Sequence, residues 1–548
     1  MPPQRIADLS LREKVGQLFL VGFDGTTLSP PVERFVDEWG LGGVVYFSRN
    51  VSTPEQTAAL SARLRERAAR AGVPPPLVAV DQEGGPVSRL PWGTELPSAM
   101  ALGATRDASL AEVAGEAVGA ELRSLGVDVN LAPVLDVHSD PDNPVVGVRS
   151  FGEDPSLAGE LGTRFAAGLQ SGGVLACGKH FPGHGATETD SHRDLPVVTR
   201  DRERLDRVEL VPFERAVEAG VDAVMTAHVA FPALTGADDL PATVSRDVVT
   251  GVLREDLGFD GLVVTDCLEM DAIADGIGTA EAAVRALEAG CDLLTVSHTP
   301  AVQEGAMRAV LDAVRAGRLP EARLDESVAR VLRAKRSRDA DVGSDTAWET
   351  AAERSRDVGA EVATGAVTLV RDATGALPVG DRVVVVTFAG GEPTEVADGR
   401  TGSGGLAAAV ESPDCAVAAS FAGEALLSSD AESPEEKSPI GSTPEAELPD
   451  GDTHPLGGDA TVVVGTVDAA NDAAQANAVR ELAARTDDLV VVSLRNPNDL
   501  RAFHGVDCYL AAYDSTPATL AAVGAVLRGE VEPRGSLPVT IPLDGDEG

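Results

Sequence analysis

From Leu18 to about Val296 the chain alternates short β-branched apolar runs with longer segments, rich in Ala, Arg, Glu and Leu, whose apolar positions recur at helical period. A few consecutive apolar residues suit a strand buried on both faces, and an amphipathic segment between two such runs suits a crossover helix. The strand candidates are FLVGF from Phe19, GGVVYF from Gly42, PLVAV from Pro76, VDVNLAPV from Val127, VLACGKH from Val174, AVMTAHV from Ala223, GLVVTD from Gly261 and DLLTV from Asp292. Eight βα units predict a (β/α)8 barrel with its active site at the C-terminal ends of the strands. The unusual polar residues fall at those ends: Asp81, Asn130, Asp136, Lys179, His180, His228, Asp266 and His298. The competing fold is a doubly wound sheet. It would normally carry a glycine-rich phosphate turn after its first strand, and GFDGTT is a poor version of one.

Helical text continues through EARLDESVARVLRAKRSRD, and the polar stretch ADVGSDTAWETAAERSRD then reads as a linker. A second α/β unit follows, with strands near Thr368, Arg382, Cys415, Thr461, Leu489 and Tyr509 and an Ala-rich helix from Ala470 to Arg485. The predicted organisation is therefore a catalytic barrel over 1–337, a linker over 338–360, and an α/β sandwich over 361–548. Around 427–459 the text is rich in Pro, Ser, Gly and acids, has no period, and reads as an acidic disordered insertion.

Composition narrows the function classes. With 548 residues, 43% hydrophobic and 24% charged, the chain has ordinary globular usage and length for two domains. Its balance of 45 basic against 87 acidic residues leaves a net charge of −42, a field that repels phosphate backbones and anionic head groups, so neither nucleic acid nor membrane is expected as a partner. Lysine is confined to Lys14, Lys179, Lys335 and Lys437 while acids are spread throughout. Such a surface is self-repelling in dilute salt but screened within about 3 Å at 1 M, which points to a salt-rich cytoplasm. The five scattered cysteines, without a CxxC pair, suggest neither a disulfide framework nor a zinc knuckle. The charged, amphipathic N-terminus has no uninterrupted apolar core of a signal peptide, and a cytoplasmic location is expected.

Chemistry concentrates in GKHFPGHGATETDSHRDLP, Gly178 to Pro196. The segment is too irregular for a helix and should be the loop after the fifth strand. Its histidines lack the spacing of a helical metal-ligand pair; a purely structural loop would bury many polar groups without a task. An acid/base site fits better, because Asp190 lies two residues before His192 and can orient its imidazole and raise its pKa. In VVTDCLEMDAI, Asp266 ends an apolar strand, where a carboxylate suits a nucleophile, a metal ligand, a hydrogen-bond acceptor or a helix N-cap. AVDQEGGPVSRL offers Asp81 and Arg89 around two glycines for a polar ligand or for a tight turn. In NLAPVLDVHSD and VRSFGEDP, Arg149 can reach a ligand while Asn130 and Asp136 fix loops.

Taken in order, AVDQEGG with its following Arg, NLAPVLDV, RSFGEDP, KHFPGHG, DSH, MTAHV, PATVS and VVTD resemble glycoside hydrolase family 3, in its β-N-acetylglucosaminidase branch. The resemblance is dense over roughly the first 340 residues. It continues more thinly through TLVRDATGALPV, SLRNPNDLRAF and PRGSLPVTIP, which are similar to the family's C-terminal α/β sandwich. It implies a retaining exo-glycosidase that removes terminal β-linked N-acetylglucosamine, with Asp266 as nucleophile and His192, paired with Asp190, as acid/base. Asp81, Arg89, Arg149, Lys179 and His180 would bind the sugar, with His228 beside them. No metal or organic cofactor is implied, and the partner is a small oligosaccharide or amino-sugar glycoside. A histidine acid/base leaves phosphorolysis open, because it does not repel an anionic acceptor as a carboxylate would. The other readings are a β-glucosidase of the same family and a non-catalytic sugar-binding protein. Two departures fall near the site: Cys267 stands where many relatives have a second Asp, and Pro86 where many have Arg.

Overall fold

The computed structural model describes residues 5–90, 92–93, 95–187, 189, 191, 194–340, 348–388, 405–413, 415–422 and 460–543. They form two compact units, one running to Ala366 and taking in Gly535–Thr540, the other beginning at Val367.

In the first unit the apolar runs become β1 (Phe19–Val21), β2 (Gly43–Tyr46), β3 (Leu77–Val80), β4 (Val129–Asn130), β5 (Leu175–Phe181), β6 (Ala223–Thr226), β7 (Leu262–Thr265) and β8 (Leu294–Val296). Consecutive strands pair in parallel from β1 to β7. Val264 bridges Leu293, and β8 pairs with β1, so the ring closes. Every residue of these strands is buried, as expected where helices cover one face and the barrel core the other. Local signals set the helix starts. Ser10 and Glu13 satisfy each other's backbone N–H groups ahead of Leu11–Gly16, and Thr53–Pro54 and Asp154–Pro155 place a capping side chain before a first-turn proline.

The segment expected as a linker behaves differently. Residues 341–347 lie outside the described residues, but Trp348–Ala366 is a helix packed on the helices Ala99–Thr105 and Ala108–Ser124. Its buried positions are Ala351, Ala352, Ser355, Val358, Gly359, Val362, Ala363 and Ala366, a stripe at helical spacing built mainly of small residues that reads as polar text. The hairpin Gln82–Gly84 with Val87–Ser88 was also not anticipated. Its turn needs glycine: Gly84 and Gly85 have φ of +102° and +55°, and a Cβ at Gly85 would stand 2.8 Å from that of Ser98. No helix among the described residues is long and apolar enough to cross a membrane.

The second unit holds a six-stranded sheet, with β9 (Thr368–Asp372), β10 (Arg382–Thr387), β11 (Ala416–Ala422), β12 (Thr461–Thr466), β13 (Leu489–Ser493) and β14 (Cys508–Ala511) in the order β9-β14-β13-β12-β10-β11. Only the β9–β14 pair is antiparallel. The Ala-rich helix spans Ala473–Ala483. The acidic insertion at 427–459 lies outside the described residues.

Asp499 is buried in this unit, accepting from the Thr466 hydroxyl at 2.7 Å and from the Ala470 N–H at 3.2 Å. Burial first, and then the charge of Asp468, push its carboxyl up to about 7. The folded unit therefore keeps a proton that the unfolded chain gives up near pH 4. The folded state binds the extra proton, so stability declines as pH rises from about 4 through about 7. Hydrogen exchange of the β12 and β13 amides in the full chain is expected to be faster at pH 8 than at pH 5 after correction for intrinsic rates. Asp499→Asn should flatten that slope; an unchanged slope would assign it to another group.

Candidate active site

At the C-terminal mouth of the barrel the strand ends line a cavity whose walls include Phe47, Asp81, Arg89, Arg149, Lys179, His180, His184, Ser191, Asp266, Cys267 and His298. Asp81 follows β3 and Asp266 follows β7, strands half a turn apart in an eight-stranded ring, so the two carboxylates face the cavity from opposite sides. Asp266 does not cap a helix: the next one, Asp271–Ala274, begins after Met270. Its Oδ1 accepts the N–H of Cys267 at 2.7 Å.

The wall opposite Asp266 is a buried charge network. Lys179 Nζ lies 2.7 Å from Asp81 Oδ1 and 2.7 Å from Glu83 Oε1. Arg149 meets Glu83 with two parallel bonds, Nε to Oε2 at 2.8 Å and Nη2 to Oε1 at 2.9 Å. Burial works against the charges of Glu83, Arg149 and Lys179, but their partners outweigh it. Glu83 is held well below the usual carboxylate range by Arg149 and Lys179, and Lys179 is held above its ordinary value by Asp81 and Glu83. The network thus presents fixed donors and one partly accessible acceptor, Asp81, whose side chain is 16% exposed against 5% for Glu83. That combination suits a ligand rich in hydroxyl groups.

Beneath it Asp136 organises the loop after β5. Its Oδ2 is 2.7 Å from His180 Nδ1, and its Oδ1 accepts the backbone N–H groups of His180 at 3.1 Å and His184 at 2.7 Å. Burial raises its pKa, yet His180 and these bonds bring it below the ordinary value. An ionised carboxylate only accepts, so Nδ1 of His180 carries a proton, and the residue lines the cavity. The Lys179–His180 and Phe181–Pro182 peptide bonds are cis. Gly185 permits the loop's path, because a Cβ there would stand 1.6 Å from the carbonyl oxygen of Val137. His184 is pushed down to about 4 by burial and by His180. Its Nε2 is 3.0 Å from Ser191 Oγ, and its Nδ1 is 2.8 Å from Thr187 Oγ1.

Of the predicted site residues, Asp81, Arg89, Arg149, Lys179, His180 and Asp266 meet at this cavity. Asp190 and His192 lie outside the described residues; Ser191, between them in sequence, lines the cavity. His228 is not on the wall: it is buried behind it, with Nε2 on the carbonyl of Cys267 and Nδ1 on Thr243. Asn130 pairs with the backbone N–H and C=O of Gln82, fixing the loop after β3. The sequence reading missed Glu83 and Phe47, and it placed His184 in the chemical loop without giving it a role. Glu83 left a signal as the acid of QEGG. Among the described residues no group of three or more His, Cys, Asp or Glu side chains is arranged to hold a metal ion.

A model described as the glycosyl hydrolase family 3 N terminal domain matches residues 10–334. The chain is 35% identical over 386 residues to beta-hexosaminidase A of Pseudoalteromonas piscicida, covering 66% of this chain and 64% of that protein, a little under two thirds of its length. It is 41% identical over 283 residues to beta-hexosaminidase of Thiobacillus denitrificans, covering 50% of this chain and 77% of that one. Among solved structures, a glycoside hydrolase family 3 beta-N-acetylglucosaminidase from a Paenibacillus species superposes with a TM-score of 0.86 at 39% identity, covering 98% of this chain and 99% of that one.

Proposed function

The chain belongs to glycosyl hydrolase family 3, and from that premise we propose that it removes terminal β-linked N-acetylglucosamine from small glycosides with retention of configuration. The observation that carries this reading is the pairing of Asp266 on one side of the cavity with the Asp81–Lys179–Glu83–Arg149 network on the other. One sugar held by the network presents its anomeric carbon to the carboxylate. The names of the relatives, beta-hexosaminidase and beta-N-acetylglucosaminidase, support an N-acetylated sugar.

In this mechanism an oxygen of Asp266 attacks the anomeric carbon as the bond to the aglycone breaks. The bonding pair goes to the leaving oxygen, which takes a proton from His192. Water then attacks the same carbon, gives a proton back to His192, and releases the Asp266 carboxylate. Asp190 holds the histidine in its proton-donating state. Both residues are assigned on the sequence motif, supported by the place of Ser191 on the cavity wall. The acidic charge supports a second element of the proposal, a cytoplasm of high salt as the working medium.

The test is turnover of p-nitrophenyl N-acetyl-β-glucosaminide and of its glucoside counterpart, in dilute buffer and in molar KCl, each with and without phosphate. Free N-acetylglucosamine is the expected product, with activity rising toward molar salt. A sugar 1-phosphate would make the protein a phosphorylase, glucoside preference would overturn the N-acetyl assignment, and full activity in dilute buffer would overturn the salt reading.

A further inference from the structure

His228 follows β6 and is almost wholly buried, at 1% exposure, off the cavity wall. Its two ring nitrogens are nonetheless committed. Nε2 lies 2.9 Å from the carbonyl oxygen of Cys267, and a carbonyl only accepts, so Nε2 carries a proton and donates it. Nδ1 lies 2.8 Å from Thr243 Oγ1, which is itself 3.0 Å from Thr226 Oγ1 and 2.9 Å from the Ala227 carbonyl. Threonine hydroxyls from β6 and from the following loop thus fix the ring plane and aim Nε2 at one acceptor.

That acceptor belongs to the residue after Asp266. Cys267 is held at three atoms: its carbonyl by His228, its N–H on Asp266 Oδ1 at 2.7 Å, and its Sγ 3.0 Å from Ser297 Oγ. Burial pushes its thiol up to about 11, so it remains neutral and serves as a packing and hydrogen-bonding group. The Asp266 N–H donates to the Thr226 carbonyl at 3.3 Å. Oδ1 of Asp266 is thus tied to the N–H of Cys267, and the carbonyl of that same residue is tied to His228.

We propose that His228 is a positioning residue for the nucleophile, acting through the Cys267 carbonyl and not by contact with the sugar. This rests on the reading of Asp266 as nucleophile. A group that orients the attacking carboxylate acts on the bond-making step, where a displacement near 1 Å costs about 10²-fold, and leaves ground-state binding of the sugar alone.

Three variants test it in the full-length protein. His228→Leu removes the donor, His228→Gln keeps an amide N–H that can reach the same carbonyl, and Thr243→Val removes the hydroxyl behind the ring. For His228→Leu we expect kcat on the aryl N-acetylglucosaminide to fall about 10²-fold, with KM and the inhibition constant of free N-acetylglucosamine within about twofold of the parent. The Gln variant should recover at least about tenfold of that loss, and Thr243→Val should show a smaller loss of the same kind. Retained inhibitor binding shows that the site is folded. Wild-type kcat in the Leu variant overturns the proposal, as does a rise in KM and inhibition constant parallel to the loss in kcat, which would mark a sugar contact. A Gln variant no better than Leu also overturns it. If Asp266→Asn keeps full activity, the nucleophile assignment has failed instead, whatever His228 does.

Discussion

Asp266→Asn is expected to abolish turnover of aryl and alkyl N-acetylglucosaminides alike, with a loss on the order of 10⁴–10⁶-fold in kcat, while the protein stays folded and still binds free N-acetylglucosamine. The amide keeps the shape of the carboxylate and its Oδ1 can still accept the Cys267 N–H, so local structure has no reason to change. What it lacks is the negative charge that makes the oxygen nucleophilic enough to form the glycosyl ester and lets it leave again as a carboxylate. The acid/base should fail differently. His192→Ala is expected to cost about 10²–10⁴-fold on substrates with poor leaving groups and far less on activated aryl glycosides, whose leaving oxygen needs little protonation. The contrast between an indifferent loss at 266 and a leaving-group-dependent loss at 192 separates nucleophile from acid. Equal losses on both substrate classes for His192→Ala would remove it from that role, and residual turnover in Asp266→Asn within a few hundredfold of the parent would remove Asp266 from its own.

The barrel was legible because each of its strands is a local signal: a buried apolar run such as LVVT or AVMT says strand without knowing its neighbours. Asp266 was legible for the same reason, since it stands where such a run stops. Pairings across the chain were not. Lys179 and Asp81 are 98 positions apart, and Arg149 and Glu83 are 66 apart. Nothing local in QEGG separates a buried counter-ion from a surface turn, so Glu83 was given no role. His228 illustrates the complementary error. A histidine at a strand end is the expected place for a ligand contact, but which side of the backbone it takes depends on Thr243, which only the fold brings to its ring. The linker over 338–360 failed for a reason of composition, because a stripe of alanines buries well against neighbouring helices while contributing little hydrophobic signal of its own.

Glu83 is consequently the residue whose replacement should do the most damage without touching the reacting atoms. It neutralises two buried cations at once, taking a bidentate pair from Arg149 and a single bond from Lys179. In Glu83→Gln the group changes from two anions and two cations to one anion and two cations, and a buried charge is left without its partner. Breaking one member of such a network costs about 3–5 kcal/mol, which a melt of the full chain would register as a lower barrel transition. The site should suffer with it. Lys179 would be left with Asp81 alone and tighten on the one acceptor open to the sugar, while Arg149 would lose the fork that fixes its plane. The expected loss in kcat/KM on the N-acetylglucosaminide is about 10²-fold or more, carried largely by KM, in contrast to the kcat loss expected at His228. Glu83→Asp, which keeps the charge but shortens the reach, should recover stability more fully than activity. The depressed pKa of Glu83 adds a pH signature: its stabilisation is complete above the ordinary glutamate value and is lost only as pH falls through its lower folded value. The parent should therefore lose more barrel stability on acidification below about pH 4 than Glu83→Gln does. Wild-type kcat/KM in Glu83→Gln would show that Arg149 and Lys179 hold their places unaided and that the carboxylate is dispensable to the site.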